Sequence, residues 1–273
     1  MKKITFAILA IALAIPALAQ RPVTIKGSDT MVIMNARLAE AFMAKSPGAV
    51  IQVTGGGSGV GLAALINGTT DVAASSRPIK TAEKDKLKQR FQTLGVEIPI
   101  ARDGLSIYAH SSNPVKELTL AQLADIFMGR VTNWKQVGGK DAPIILYSRE
   151  NSSGTYGYFR DYVLGGRDFS PRAQTLQGTA AVVNAVANDV NGIGYGGAAY
   201  AKGLRVIPVK KDDKSPAVSP TLETVRNGSY PISRYLYLYS RTKPSGTLKS
   251  FVDWATGPEG QAIVVKTGYF PLK

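Results

Sequence analysis

The sequence has no cysteine and one histidine, His110, in 273 residues. Zero cysteine excludes a disulfide scaffold, so the fold must hold by burial alone. It also excludes a lipid attached through a cysteine at a leader junction. One histidine leaves any Ser-His-Asp device dependent on His110, and the elbow G-x-S-x-G is absent around Ser58 and Ser153. A zinc site lacks its nitrogen and sulfur ligands as well. No metal, cofactor or catalytic residue is therefore expected, and His110 reads as an ordinary residue at a strand end. Nucleotide motifs also fail: residues 55–61 read GGGSGVG, in which no glycine triple has the G-x-G-x-x-G spacing, and no G-x-x-x-x-G-K-[ST] occurs.

What is present begins with an address. Lys2 and Lys3 precede an apolar stretch over residues 4–15, and Ala17-Leu18-Ala19 precedes Gln20. This is the pattern of a cleaved secretory signal over residues 1–19. The apolar stretch falls short of the roughly 20 residues needed to span a bilayer. The formal net charge is +14, or +12 without Lys2 and Lys3. Such a surplus steers anionic partners toward the surface. Its 33 Lys and Arg are scattered, with no run of five like charges. That distribution and the export signal argue against nucleic acid and for a small anion.

Beyond the leader, short β-branched runs alternate with longer amphipathic stretches, which predicts an α/β fold with mostly parallel strands. Strands are expected at residues 23–26, 50–54, 71–74, 96–100, 105–110, 143–147, 193–195, 205–208 and 232–240. Helices are expected at 32–45, 60–66, 82–93, 120–128, 155–164, 179–188, 222–227, 247–256 and 258–266. In the first helix Ile33, Leu38, Ala41 and Phe42 form the predicted buried side. Residues 210–220, with charge, Ser and two Pro, read as a surface loop.

Four turns share a composition, and each follows a predicted strand. They are Gly27-Ser28-Asp29-Thr30, Gly55-Gly56-Gly57-Ser58-Gly59, Ser75-Ser76-Arg77 and Arg149-Glu150-Asn151-Ser152-Ser153-Gly154-Thr155. Glycine admits a close backbone approach, hydroxyls donate, and a helix N-terminus adds partial positive charge, so each turn can cradle an anion. In an open α/β sheet such strand ends meet at one crevice. One such turn alone is most often a helix cap. Four of them, two carrying arginine, point to a site for a tetrahedral oxyanion. Asp29 has two readings: a helix N-cap, or the buried acceptor that would separate protonated phosphate from fully ionised sulfate.

The strings KGSDTM (26–31), TGGGSGVG (54–61), NGTTDVAASSRPI (67–79), IFMGRVTNW (126–134), SRENSSGTY (148–156), NGIGYGGAAY (191–200) and YPISRYLYLYS (230–240) together resemble the periplasmic phosphate-binding proteins of the high-affinity phosphate ABC importer. The resemblance implies a type II periplasmic-binding-protein fold. Its lobe one would be residues 22–106 and 232–273, its lobe two residues 107–231, with a hinge near 107–112 and 230–233. It implies phosphate contacts at Ser28, Asp29, Thr30, Ser58, Ser76, Arg77, Arg149, Ser153, Gly154 and Thr155. One position departs: several members carry an aspartate where this chain has Ser76. Either Asp29 takes over as proton acceptor or selectivity against sulfate is weaker. The implied partners are inorganic phosphate and a membrane permease complex, the implied location is the periplasm, and a monomer is expected. The competing readings are a binding protein for another oxyanion, a secreted phosphoesterase on the same lobes, and a surface adhesion protein.

Overall fold

The computed structural model describes residues 21–273. The leader read at residues 1–19 lies outside the described residues. Strands β1 (Val23–Gly27), β2 (Ile51–Thr54) and β3 (Val72–Ser75) are parallel and joined by α1 (Val32–Lys45) and α2 (Ser58–Asn67). Helix α3 (Thr81–Phe91) then leads into β4 (Val96–Ala109). A second group follows: β5 (Leu118–Thr119), α4 (Leu120–Phe127), β6 (Ile145–Arg149), α5 (Gly154–Tyr162) and β7 (Gln174–Leu176). It continues through α6 (Thr179–Ala187), β8 (Gly192–Gly197), β9 (Arg205–Ile207), β10 (Val209–Lys210) and α7 (Leu222–Arg226). The chain returns to the first group with β11 (Ser233–Ser240), α8 (Gly246–Thr256) and α9 (Pro258–Lys266).

The main sheet runs β2-β1-β3-β11-β4-β8-β6-β7, with β9 also on β4. Its two ends are parallel, as the periodicity predicts. Its centre is antiparallel, because β11 pairs with β3 and β4 and β8 pairs with β4 in that sense. β4 is where the two groups meet. Its residues up to Gly104 pair with β11, and from Leu105 onward they pair with β8 and β9. The apolar core divides at the same place. One cluster joins Ile25, Met34, Leu38, Phe42, Leu236 and Phe251; the other joins Leu105, Ile107, Phe127, Phe159, Tyr195 and Ile232. The fold therefore has two lobes, and the return crossing is pinned to the first. Leu105 N donates to the Ile232 carbonyl at 2.8 Å and the Tyr230 hydroxyl donates to the Leu105 carbonyl at 2.8 Å.

Two expectations are corrected by the structure. The strands predicted at 96–100 and 105–110 are one continuous strand. The intervening Arg102-Asp103-Gly104 reads as a polar break, but Asp103 is paired with Arg234 on β11, so its charge can lie inside the sheet. In α1, Ile33 is 49% exposed, and the buried stripe is Met34, Leu38, Ala39 and Phe42. A 3-10 turn at Asp29–Met31 precedes the helix and brings Met31 into that stripe, which turns Ile33 outward. β7 escapes prediction because it is a short edge strand of largely exposed residues, without the alternation that a half-buried strand shows. Residues 210–220 do form a surface connection, tightened where Asp212 Oδ1 accepts from Lys214 N and Ser215 N.

Candidate functional site

The ends of β1, β2, β3 and β6 bring the four turns together. Gly57 N donates to the Gly27 carbonyl at 2.9 Å, Ser28 N to the Ala74 carbonyl at 2.9 Å, and Ser76 N to Ser58 Oγ at 3.1 Å. Those bonds join the three turns of lobe one. The fourth turn, from lobe two, closes over them. Gly59 N donates to the Ser152 carbonyl at 2.8 Å, and Thr30 Oγ1 lies 2.9 Å from Thr155 Oγ1. Ser28, Thr30, Ser58, Ser76, Ser153 and Thr155 are all buried.

Two glycines set how tightly the lobes meet. Gly57 has φ +94° and faces the Ser152 carbonyl so closely that a Cβ would stand 2.7 Å from that oxygen. Gly154 opens α5, and a Cβ there would fall 2.2 Å from Ser58 Oγ and 2.6 Å from Ser76 Oγ. Only a residue without a side chain lets the α5 N-terminus come this near the two serines. Ser153 caps that helix, accepting from Thr155 N and Tyr156 N at 3.2 Å each. Behind it, Phe159 of α5 stacks on Tyr195 of β8 with ring centroids 4.2 Å apart. The Tyr195 hydroxyl lies 2.8 Å from Ser148 Oγ, next to Arg149. An aromatic pair in a core contributes about 0.5–1.5 kcal/mol beyond its buried area, which fixes the direction in which α5 presents its first turn.

Arg149 is 2% exposed and makes bonds to both lobes. Nε and Nη2 donate to the Glu150 carboxylate at 3.0 and 2.8 Å, Nη1 donates to Thr179 Oγ1 at 2.8 Å, and Nη2 reaches across the lobes to Asp29 Oδ2 at 3.0 Å. Asp29 Oδ1 meanwhile accepts from Gly56 N at 2.8 Å. The Asp29 side chain thus caps no helix, and the cap reading gives way to that of an inter-lobe strap. Its own carbonyl accepts from the Tyr200 hydroxyl at 2.9 Å. Burial pushes that phenol up to about 12, with nearby Asp29 adding to the rise, so it stays protonated and donating at neutral pH.

Arg77 stands apart from this group. Its guanidinium grips Glu83 with two bonds, 2.9 and 2.7 Å, and the Pro78 carbonyl with another at 2.9 Å. Its stem runs beside α5, where a Cβ on Gly157 would meet Arg77 Cδ at 3.3 Å. For Glu83, burial raises the carboxyl's pKa but the Arg77 bonds and charge outweigh it, and the net result lies below the ordinary 4.5. A depressed folded-state value gives stability that is present above 4.5 and lost as pH falls through the folded value. The stability gap between wild type and Glu83→Gln is accordingly expected to be widest near neutrality and to shrink on acidification, as read from urea midpoints. A pH-independent gap would show that the pair adds nothing through its charge.

Glu150, Thr179, Tyr200, Asp103 and Arg234 join the network without being singled out by the sequence. Glu150 adjoins Arg149, and a carboxylate beside an arginine in a glycine-rich turn was a readable signal. Thr179 opens α6 far along the chain and only the fold brings it to Arg149. His110 sits just past β4, with Nδ1 2.8 Å from Ser112 Oγ in a local turn, as expected of a strand-end residue. Among the described residues no group of His, Cys, Asp and Glu is arranged to hold a metal, and no helix is long and apolar enough to cross a membrane.

Residues 14–259 match the PBP superfamily domain. The phosphate-binding protein PstS of Pseudomonas aeruginosa is 33% identical over 263 residues, covering 90% of this chain and 81% of that protein. The chain belongs to the PBP superfamily and, within it, to the PstS family. PstS of Bacillus subtilis is 32% identical over 251 residues, covering 91% of this chain and 80% of its own. Among solved structures, a Clostridium perfringens chain with bound phosphate superposes with a TM-score of 0.84 at 33% identity, covering 93% of this chain and 100% of that one. An ABC-type phosphate transport receptor from Vibrio cholerae gives 0.73 at 28% identity, covering 91% and 99%. PstS proteins are substrate-binding components of transport rather than enzymes, which accords with a cleft built of hydroxyls, amides and an arginine.

Proposed function

We propose that this protein captures inorganic phosphate between its two lobes and delivers it to a membrane ABC importer. It acts as an exported periplasmic component that does not transform its cargo. The observation that carries the reading is convergence. Four strand-end turns from two lobes bring buried hydroxyls, the capped N-terminus of α5 and the buried Arg149 to one place. Such donors are strong toward an oxyanion in a water-excluded cleft. The proposed contacts are Ser28, Thr30, Ser58, Ser76, Ser153, Gly154, Thr155 and Arg149. Asp29 and Glu150 hold Arg149, and Arg77 supports the Ser76 turn and α5 through Glu83. The leader over residues 1–19 would direct export. The lobes would be residues 22–106 with 232–273, and residues 107–231. The protein would work as a monomer without nucleic acid.

Capture would proceed by hinge closure. The anion meets the lobe-one turns first, and lobe two then brings in Arg149 and the α5 N-terminus. Gly154→Ala tests this directly. Its Cβ would collide with Ser58 and Ser76 only when the lobes are shut, so the folded protein should persist while phosphate binding weakens. Overpacking costs about 1–3 kcal/mol, or roughly 5- to 150-fold in affinity. Calorimetric titration measures it, and unchanged affinity would mean that binding does not need this closure.

A second reading has one observation in its favour. Both carboxylates near Arg149 are already paired, and the resemblance puts Ser76 where several members carry an aspartate, so an oxyanion with no proton to donate could also be held. A thermal-shift panel with phosphate, sulfate, molybdate and arsenate separates the two. A ligand at a hundredfold excess over its Kd stabilises by about 2.7 kcal/mol, and phosphate is expected to give the largest shift. A larger shift with sulfate would transfer the assignment to that anion.

A further inference from the structure

Arg234 lies on β11, remote in sequence from the four turns. Its side chain and that of Asp103 are each 1% exposed. Nε and Nη2 both donate to Asp103 Oδ2, at 3.1 and 2.8 Å. The guanidinium also rests over the Tyr158 ring, 5.5 Å from its centroid. A buried ion pair of this kind could serve the fold alone, but two details exceed that role. Nη2 makes a further bond, to Thr155 Oγ1 at 3.0 Å, and Thr155 Oγ1 is the atom that meets Thr30 Oγ1 at 2.9 Å. Nη1 is buried with no hydrogen-bond partner.

Counting protons along this chain leaves one of them unused. Arginine can only donate, so Thr155 accepts from Arg234. The two hydroxyls then share two protons, and only one can lie between them. Whichever threonine supplies it, the proton of the other hydroxyl has no acceptor among the described contacts. A buried donor left without an acceptor is unfavourable, and an acceptor-only ligand beside the two threonines would answer it. Nη1, on the same guanidinium, is a second buried donor without a partner.

We infer that Arg234 is a positioning residue for anion binding: by donating to Thr155 it fixes the orientation of that hydroxyl, so that the spare O–H proton of the Thr30–Thr155 pair is held ready for a ligand. This inference rests on the reading of the cleft as a phosphate site. Thr30 and Thr155 come from different lobes, so the relay is complete only when the lobes are closed. The bond from Arg234 ties it to Asp103, at the point on β4 where strand partners change. The anion therefore meets a donor whose orientation is already set by the hinge strands.

The test is a cycle of phosphate titrations on folded protein. The four proteins are the wild type, Thr155→Val, the paired replacement Asp103→Leu with Arg234→Met, and the combination of all three. The paired replacement removes both charges together, which a core tolerates far better than removing one. Thr155→Val and the paired replacement are each expected to weaken phosphate about tenfold, the upper range for one hydrogen bond. The combination is expected to lose no more than either alone, because both break one relay. Arg234→Lys keeps a cation beside Asp103 but gives up the planar fork that reaches Thr155. It should show the same loss, and it carries the cycle if the paired replacement fails to fold. Wild-type affinity in the paired or Lys variants, or losses that multiply to about a hundredfold, overturns the role of Arg234 alone. A wild-type protein that binds no phosphate overturns the reading of the cleft with it.

Discussion

Arg149→Ala is expected to weaken phosphate binding by about 2–5 kcal/mol, or roughly 30- to 4,000-fold, the range for removing one partner of a buried charge pair. The size follows from what the arginine holds. Without it, Asp29 and Glu150 face each other across the cleft with no cation between them, and Thr179 loses its donor. An entering phosphate would then meet two carboxylates instead of a neutralised pair, so repulsion adds to the lost attraction. Arg149→Lys should recover little, because one ammonium cannot reproduce bonds from Nε, Nη1 and Nη2 in three directions. Titration calorimetry on folded variants decides the matter, and an unchanged Kd in Arg149→Ala would remove the arginine from the site.

The second large effect concerns stability rather than binding. Asp103→Ala leaves Arg234 as an uncompensated buried charge and orphans the bond from Ala198 N to Asp103 Oδ1. Breaking a buried pair in this way costs about 3–5 kcal/mol. For a protein of this size that lowers Tm by roughly 6–20 °C. The paired replacement by Leu and Met, which leaves no charge behind, should unfold much nearer wild type, short mainly of the bond from Ala198 N. Equal Tm values for wild type and Asp103→Ala in calorimetric scans would show that Arg234 finds other compensation.

The residues behind these two effects differ in how visible they are in the sequence. Arg149 could be picked out because a charged residue beside Ser, Gly and Thr at a predicted strand-to-helix turn has a local signature. The same holds for Ser58, Ser76, Gly154 and Thr155: strand ends of an α/β sheet converge, so their sequence context foretold their meeting. Asp103 had the opposite signature. A charge between two apolar runs reads as a loop, and only the opposing Arg234, far away in sequence, lets it sit within a strand. Pairings across long separations leave no local trace. Ile33 shows a related limit, since the phase of α1 depends on one preceding turn and a small rotation exchanges the inward and outward residues. For Arg77 the composition was informative but not its direction, because nothing in Ser75-Ser76-Arg77 announces that Glu83, at the start of α3, will engage the guanidinium.

The path of the chain through the two lobes also bears on how the protein is made. The core around Phe127 and Tyr195 draws on residues between Leu105 and Ile232 with Phe270 added, whereas the core of lobe one joins Ile25 and Leu38 to Leu236 and Phe251. During synthesis the first-made part of lobe one must wait for β11, α8 and α9 before it can bury its apolar surface. Lobe two can settle earlier although it begins later, which reverses the usual order in which domains fold from the N-terminus. Truncations near the C-terminus should thus expose the oldest part of the chain while leaving the middle of the protein folded.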